Sequence, residues 1–71
     1  MIIETEENNG FIFANKIIGI YYRYNEELGR FELYAHCTDR ISRIIAVRNT
    51  KELIQKHYDK IKNKILKNGN L

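Results

Sequence analysis

The stretch FELYAHC, Phe31 to Cys37, alternates apolar and polar residues without a break. Side chains of an extended chain point to opposite faces in turn, so Phe31, Leu33, Ala35 and Cys37 share one face. Glu32, Tyr34 and His36 share the other. A period of two over seven residues specifies a strand with one apolar face, and that face needs a cover.

The flanking segments supply neighbouring strands. KIIGIYYRYN, residues 16–25, is rich in β-branched and aromatic residues and reads as a strand. Ile18, Ile20, Tyr22 and Tyr24 lie on one of its faces, and Ile17, Gly19, Tyr21 and Arg23 on the other. Gly19 marks a bulge or a close approach by another element. The turn Glu26-Glu27-Leu28-Gly29 then reverses the chain, with Gly29 suited to the left-handed position of a four-residue loop. After Cys37, Asp39-Arg40 opens a second turn. Ile41 to Arg48 forms a third strand, with Ile41, Ile45 and Val47 on one side. Residues 16–48 thus read as a three-stranded antiparallel meander.

Residues 50–67 read as the covering helix. Asn49 or Thr50 caps it, and Asn49 with Glu52 has capping-box spacing. Leu53, Ile54, His57, Tyr58, Ile61 and Ile65 recur at helical spacing as one stripe, and Asn68-Gly69 ends the run. At the other end, Asn9-Gly10 is a hairpin signal that sets Glu7 beside Ile12 and Glu6 beside Phe13. Residues 1–9 read as an added edge strand or a mobile terminus, with 2–7 the strand itself. The fold class is α+β: the meander, with or without this fourth strand, packed on one carboxy-terminal helix. One helix covers one sheet face. The face with Tyr34 and His36 is left open or is covered by Gly10-Phe11-Ile12-Phe13.

Seventy-one residues, 44% hydrophobic and 30% charged, bound this to one globular domain rather than a disordered chain. At that size one core leaves little net stability, so a homodimer or a larger partner is expected. The single cysteine excludes an intramolecular disulfide and a cysteine-based zinc site, and no metal or cofactor is expected. The start MIIETEENNG has neither the basic residues nor the apolar run of a secretion signal, and no apolar stretch approaches the ~20 residues that cross a bilayer. The expected compartment is the cytoplasm, with no membrane partner.

Catalytic inventory is poor. His36 and Cys37 are strand neighbours and point to opposite faces, so they cannot act as a nucleophile–base pair. The pair His57 and Cys37 would be buried across the helix–sheet interface. Glu6-Glu7 and Glu26-Glu27 lie near a terminus and in a turn, without the enclosure that raises a carboxyl pKa. The four glycines form no phosphate-binding loop. The chain is expected not to be an enzyme.

Two binding surfaces remain. Tyr21, Arg23, Glu32, Tyr34 and His36 present aromatic and arginine groups of the kind that anchor protein interfaces, on the face opposite the helix. Tyr21, Arg23 and Tyr34 are expected at the surface, Tyr22 and Tyr24 in the core. The second surface follows from charge. The net +3 divides into −3 over residues 1–29 and +6 over residues 30–71. Lys56, Lys60, Lys64 and Lys67 line one flank of the helix, and with Arg40, Arg43 and Arg48 they could follow a phosphate backbone.

Strand–strand–strand–helix order, with the turn EELG and the helix start VRNTKELIQ, resembles the arm-type DNA-binding domains of tyrosine integrases. It also resembles small phage-encoded inhibitors, including certain anti-CRISPR proteins. The first resemblance implies DNA binding through the open sheet face, but that face here carries Glu32, Tyr34 and His36 rather than basic residues. The leading expectation is therefore a small regulatory or inhibitory protein that binds another protein through this face, with the second resemblance implying a phage origin. The alternative is a DNA- or RNA-binding module that uses the basic carboxy-terminal half.

Overall fold

The computed structural model describes residues 1–7 and 10–69, with side chains through residue 67. Two short strands, β1 (Ile2–Thr5) and β2 (Gly10–Phe13), form an antiparallel hairpin. A single 3-10 turn, Ala14–Lys16, leads into β3 (Ile17–Asn25), β4 (Arg30–Cys37) and β5 (Ser42–Arg48). These three strands make an antiparallel sheet in the order β3-β4-β5, followed by one helix, α1 (Lys51–Gly69). The α+β class and the meander are as the sequence implies.

The turns follow from their residues. Asn25 pairs with Arg30 across the four-residue loop, and Gly29 takes φ 63° there, where a side chain would be strained. The Gly29 N–H closes the loop on the Asn25 carbonyl at 2.8 Å. In the β4–β5 turn the left-handed residue is Arg40, with φ 68°. Gly19 does mark a bulge, since Ile17 pairs with Cys37 and Gly19 already with His36. No close approach accounts for it, because the space beside its Cα is open. Thr50 caps the helix by accepting the Leu53 N–H at 3.2 Å, which selects Thr50 over Asn49.

One core forms between sheet, helix and hairpin. Leu33, Ala35 and Cys37 of β4 pack with Ile45 and Ala46 of β5 and with Ile54 and Ile61 of α1. Ile3 and Ile12 of the hairpin join the same cluster. The hairpin therefore extends the helix-covered face, while Glu7, just after β1, reaches Arg30 on the opposite face of the sheet. Phe11 and Phe13 remain 55% and 56% exposed, edge to face with one another.

The amino-terminal register differs from the expected one. Ile3 pairs with Ile12 and Thr5 with Gly10, so β1 ends at Thr5 and the connection is four residues long. Asn9, half of the expected two-residue turn, lies outside the described residues. Burying a large aliphatic side chain is worth about 1.5–3 kcal/mol, more than a favourable turn type contributes. The observed register buries Ile3 and Ile12; the two-residue turn would have spent those positions on glutamates. Two further differences have local causes. A bulge opposite Leu33 and Tyr34 turns both Ile45 and Ala46 inward, so Ile41 falls outside the strand and is exposed. Leu53 sits at the margin of the helical stripe, also exposed.

Candidate interaction surface

Strand register fixes the membership of the face away from the helix. Tyr21 pairs with Tyr34, Arg23 with Glu32 and Gly19 with His36 across β3 and β4. Val47, Ile44 and Ser42 of β5 stand opposite Glu32, Tyr34 and His36. These side chains alternate with the core set, so they share the outer face. All five residues expected on this surface are on it: Tyr21, Arg23, Glu32, Tyr34 and His36.

They are not all at its surface. Glu32 is only 2% exposed and Tyr34 only 8%, which corrects the expectation that Tyr34 is a surface group. The cover comes from neighbouring side chains. The Tyr21 ring stacks on Tyr34 with centroids 5.1 Å apart. The Arg23 guanidinium lies 5.0 Å from the Tyr34 ring centre and donates to its hydroxyl at 3.2 Å. Tyr24, expected in the core, is half exposed and packs edge-on against Phe31, whereas Tyr22 is half-buried against Tyr58.

Beneath this cover lies a saturated carboxylate. The Tyr34 hydroxyl donates to Glu32 Oε1 at 2.5 Å. Arg30 Nε at 2.9 Å and Asn25 Nδ2 at 3.2 Å donate to Oε2. Arg30 also reaches Glu7 at 3.0 Å, tying the segment after β1 to the sheet. The Tyr34 hydroxyl, ahead of Arg30 and Asn25, holds the Glu32 carboxyl below its ordinary value in spite of burial. Burial, and then the bond to Glu32, push the Tyr34 phenol up. Among the described residues no buried side-chain polar atom lacks a partner. Glu32 and Tyr34 thus form a rigid floor, and Tyr21 and Arg23 are what the floor presents. His36, half-buried, is held by a 3.0 Å contact between Nδ1 and Ser42 Oγ.

The sequence reading missed Asn25 and Arg30. They flank the β3–β4 turn and pair across it, and Arg30 is two residues from Glu32 on the same face. That i, i+2 spacing beside a turn is the signal that could have found them.

The basic set is differently disposed. Arg43 grips Asp39 through two hydrogen bonds, at 3.1 and 2.7 Å, and the Asp39 carboxyl is held down to about 2 by that contact. Arg48 makes a bidentate pair with Glu6, at 2.7 and 2.9 Å, and lies 3.2 Å from His57 Nδ1. Arg40 is exposed in the turn, and Lys56, Lys60, Lys64 and Lys67 are exposed on α1. The lysine flank therefore exists on the helix, while two of the three arginines expected beside it are paired with carboxylates. His57 is engaged by Arg48, and Cys37 is buried with its Sγ directed at the Ala35 carbonyl, 3.7 Å away.

Among the described residues no group of histidine, cysteine and carboxylate side chains is arranged to hold a metal ion, and no helix is long and apolar enough to cross a membrane. No protein-family model, curated protein or solved structure matches this chain.

Proposed function

We propose that the chain is a small non-enzymatic regulatory or inhibitory protein that binds another protein through the outer sheet face, with Tyr21 and Arg23 as anchors. One observation carries this reading: Arg23 and Tyr21 are both held against the buried Tyr34 ring, so both are ordered before a partner arrives. Preorganised side chains lose little entropy on docking, and Tyr and Arg are the residue types whose truncation most often costs an interface over 2 kcal/mol. Ile44 and Val47, half-buried on the same face, supply apolar area around them. The fixation of Arg43 and Arg48 by carboxylates favours this reading over nucleic-acid binding, because phosphate would have to displace an existing partner from each.

The test is affinity capture from the source cell with nuclease present, using wild type, Arg23→Ala and Lys56→Ala. A captured protein that is lost with Arg23→Ala and kept with Lys56→Ala, both variants melting as wild type does, is the expected result. Capture that vanishes with nuclease and with Lys56→Ala would replace this reading by nucleic-acid binding along α1.

A further inference from the structure

The two edges of the three-stranded sheet differ. The β5 edge is occupied in part, since the Glu6 N–H bonds the Ile45 carbonyl at 2.9 Å and Arg48 clasps Glu6. Among the described residues the β3 edge has no neighbouring strand. An open strand edge offers a row of unpaired backbone groups, and proteins usually protect it with proline, charge, cover or a short length. β3 is nine residues long, has no proline, and has no charge between Ile17 and Tyr22. Ile18 is 64% exposed and Tyr24 50% exposed along it, and Leu66 of α1 is 51% exposed beside it. Ile17, Ile18, Ile20, Ile65 and Leu66, with Lys62 as the one charged member, line a largely apolar groove between this edge and the helix.

We infer that β3 pairs with β3 of a second copy of this chain, giving a two-fold symmetric dimer with a continuous six-stranded antiparallel sheet. The occupant is argued from the strand's complementarity to itself. When a strand pairs antiparallel with its own copy about Tyr21, Ile20 stands opposite Tyr22 and Ile18 opposite Tyr24, each contact made twice. Gly19 stands opposite Arg23 and, lacking a side chain, leaves the Arg23 guanidinium free to stay on Tyr34. Tyr24 of each copy then reaches the groove beside Ile18 of the other. The two-fold axis runs perpendicular to the sheet, which places both helices on one side and joins the two outer faces on the other. This dimer does not depend on the binding role of the outer face.

Sedimentation equilibrium of the full chain over a concentration series, up to about 1 mM, tests the inference. The expected result is a monomer–dimer equilibrium relative to the 8.5 kDa chain mass. Ile18→Lys, which places a charge on the seam at an exposed position, should weaken dimerisation by at least about tenfold with the melting temperature of the monomer unchanged. Tyr24→Lys, across the seam from Ile18, should weaken it as well. A chain that stays monomeric throughout overturns the inference. A dimer indifferent to Ile18→Lys overturns it equally, because association would then use another surface. A seam weakened by Ile18→Lys but not by Tyr24→Lys would overturn pairing about Tyr21.

Discussion

Tyr34 has two neighbours that want opposite things from it: its hydroxyl donates to the Glu32 carboxylate and accepts from the Arg23 guanidinium. Removing that oxygen leaves a carboxylate that is 2% exposed short of its closest donor. Tyr34→Phe should therefore cost about 1–3 kcal/mol, well above the usual effect of a surface change. The pH signature gives the same bond a second readout. A carboxyl whose folded pKa is depressed contributes stability that is present above its ordinary value, here 4.5, and that is lost as pH falls through the folded value. With Tyr34→Phe the folded value rises toward 4.5, so the loss should begin at higher pH than in the wild type. Paired melting curves across about pH 3 to 7 check this, and coincident acid limbs would show that the hydroxyl contributes nothing.

At the scale of elements, the hairpin is fastened to the rest of the fold by Glu6, Arg48 and His57, contributed by the turn after β1, by β5 and by α1. Burial first, and then Arg48, push the His57 pKa below 6.5, with Glu6 opposing and Lys60 adding to the shift. The folded state thus holds its proton less tightly than the unfolded state. Stability should be full above 6.5 and fall as pH drops through the folded value. His57→Gln should remove that step while leaving the carboxylate losses at lower pH in place. Thermal melts of both proteins from about pH 8 to 5 report it directly. The element order itself was readable because each signal was local: EELG closes one turn, the alternation of Phe31 to Cys37 identifies the central strand, and the stripe from Ile54 to Ile65 identifies the helix. What escaped was decided between elements. The hairpin register depends on which isoleucines reach the shared core, and Asn9-Gly10 carries no information about that. The inward turn of both Ile45 and Ala46 comes from a bulge with no residue signature of its own. Tyr34 looked exposed because periodicity assigns a face, whereas its cover is built from side chains on the neighbouring strand.

For the molecule as a whole, a single cluster joins all three parts, with Leu33, Ile45, Ile54 and Ile3 fully buried in it. Truncating Leu33 or Ile3 to alanine should each cost ~2–5 kcal/mol, comparable with the ~3–5 kcal/mol that a core of this size supplies. At equilibrium the two variants should look alike. In time they should not. The meander closes through two short turns, so Leu33 finds its neighbours after small loops are formed, while the bond from Glu6 to Arg48 spans 42 residues. Leu33→Ala should therefore slow folding, and Ile3→Ala should leave the folding rate nearly unchanged and hasten unfolding. Stopped-flow rates in mild denaturant separate the two, and a folding rate that falls with Ile3→Ala would put the hairpin in the nucleus instead. On this ordering the speed at which the native state appears is set within the meander. How long it lasts is set at the seam where the hairpin meets β5.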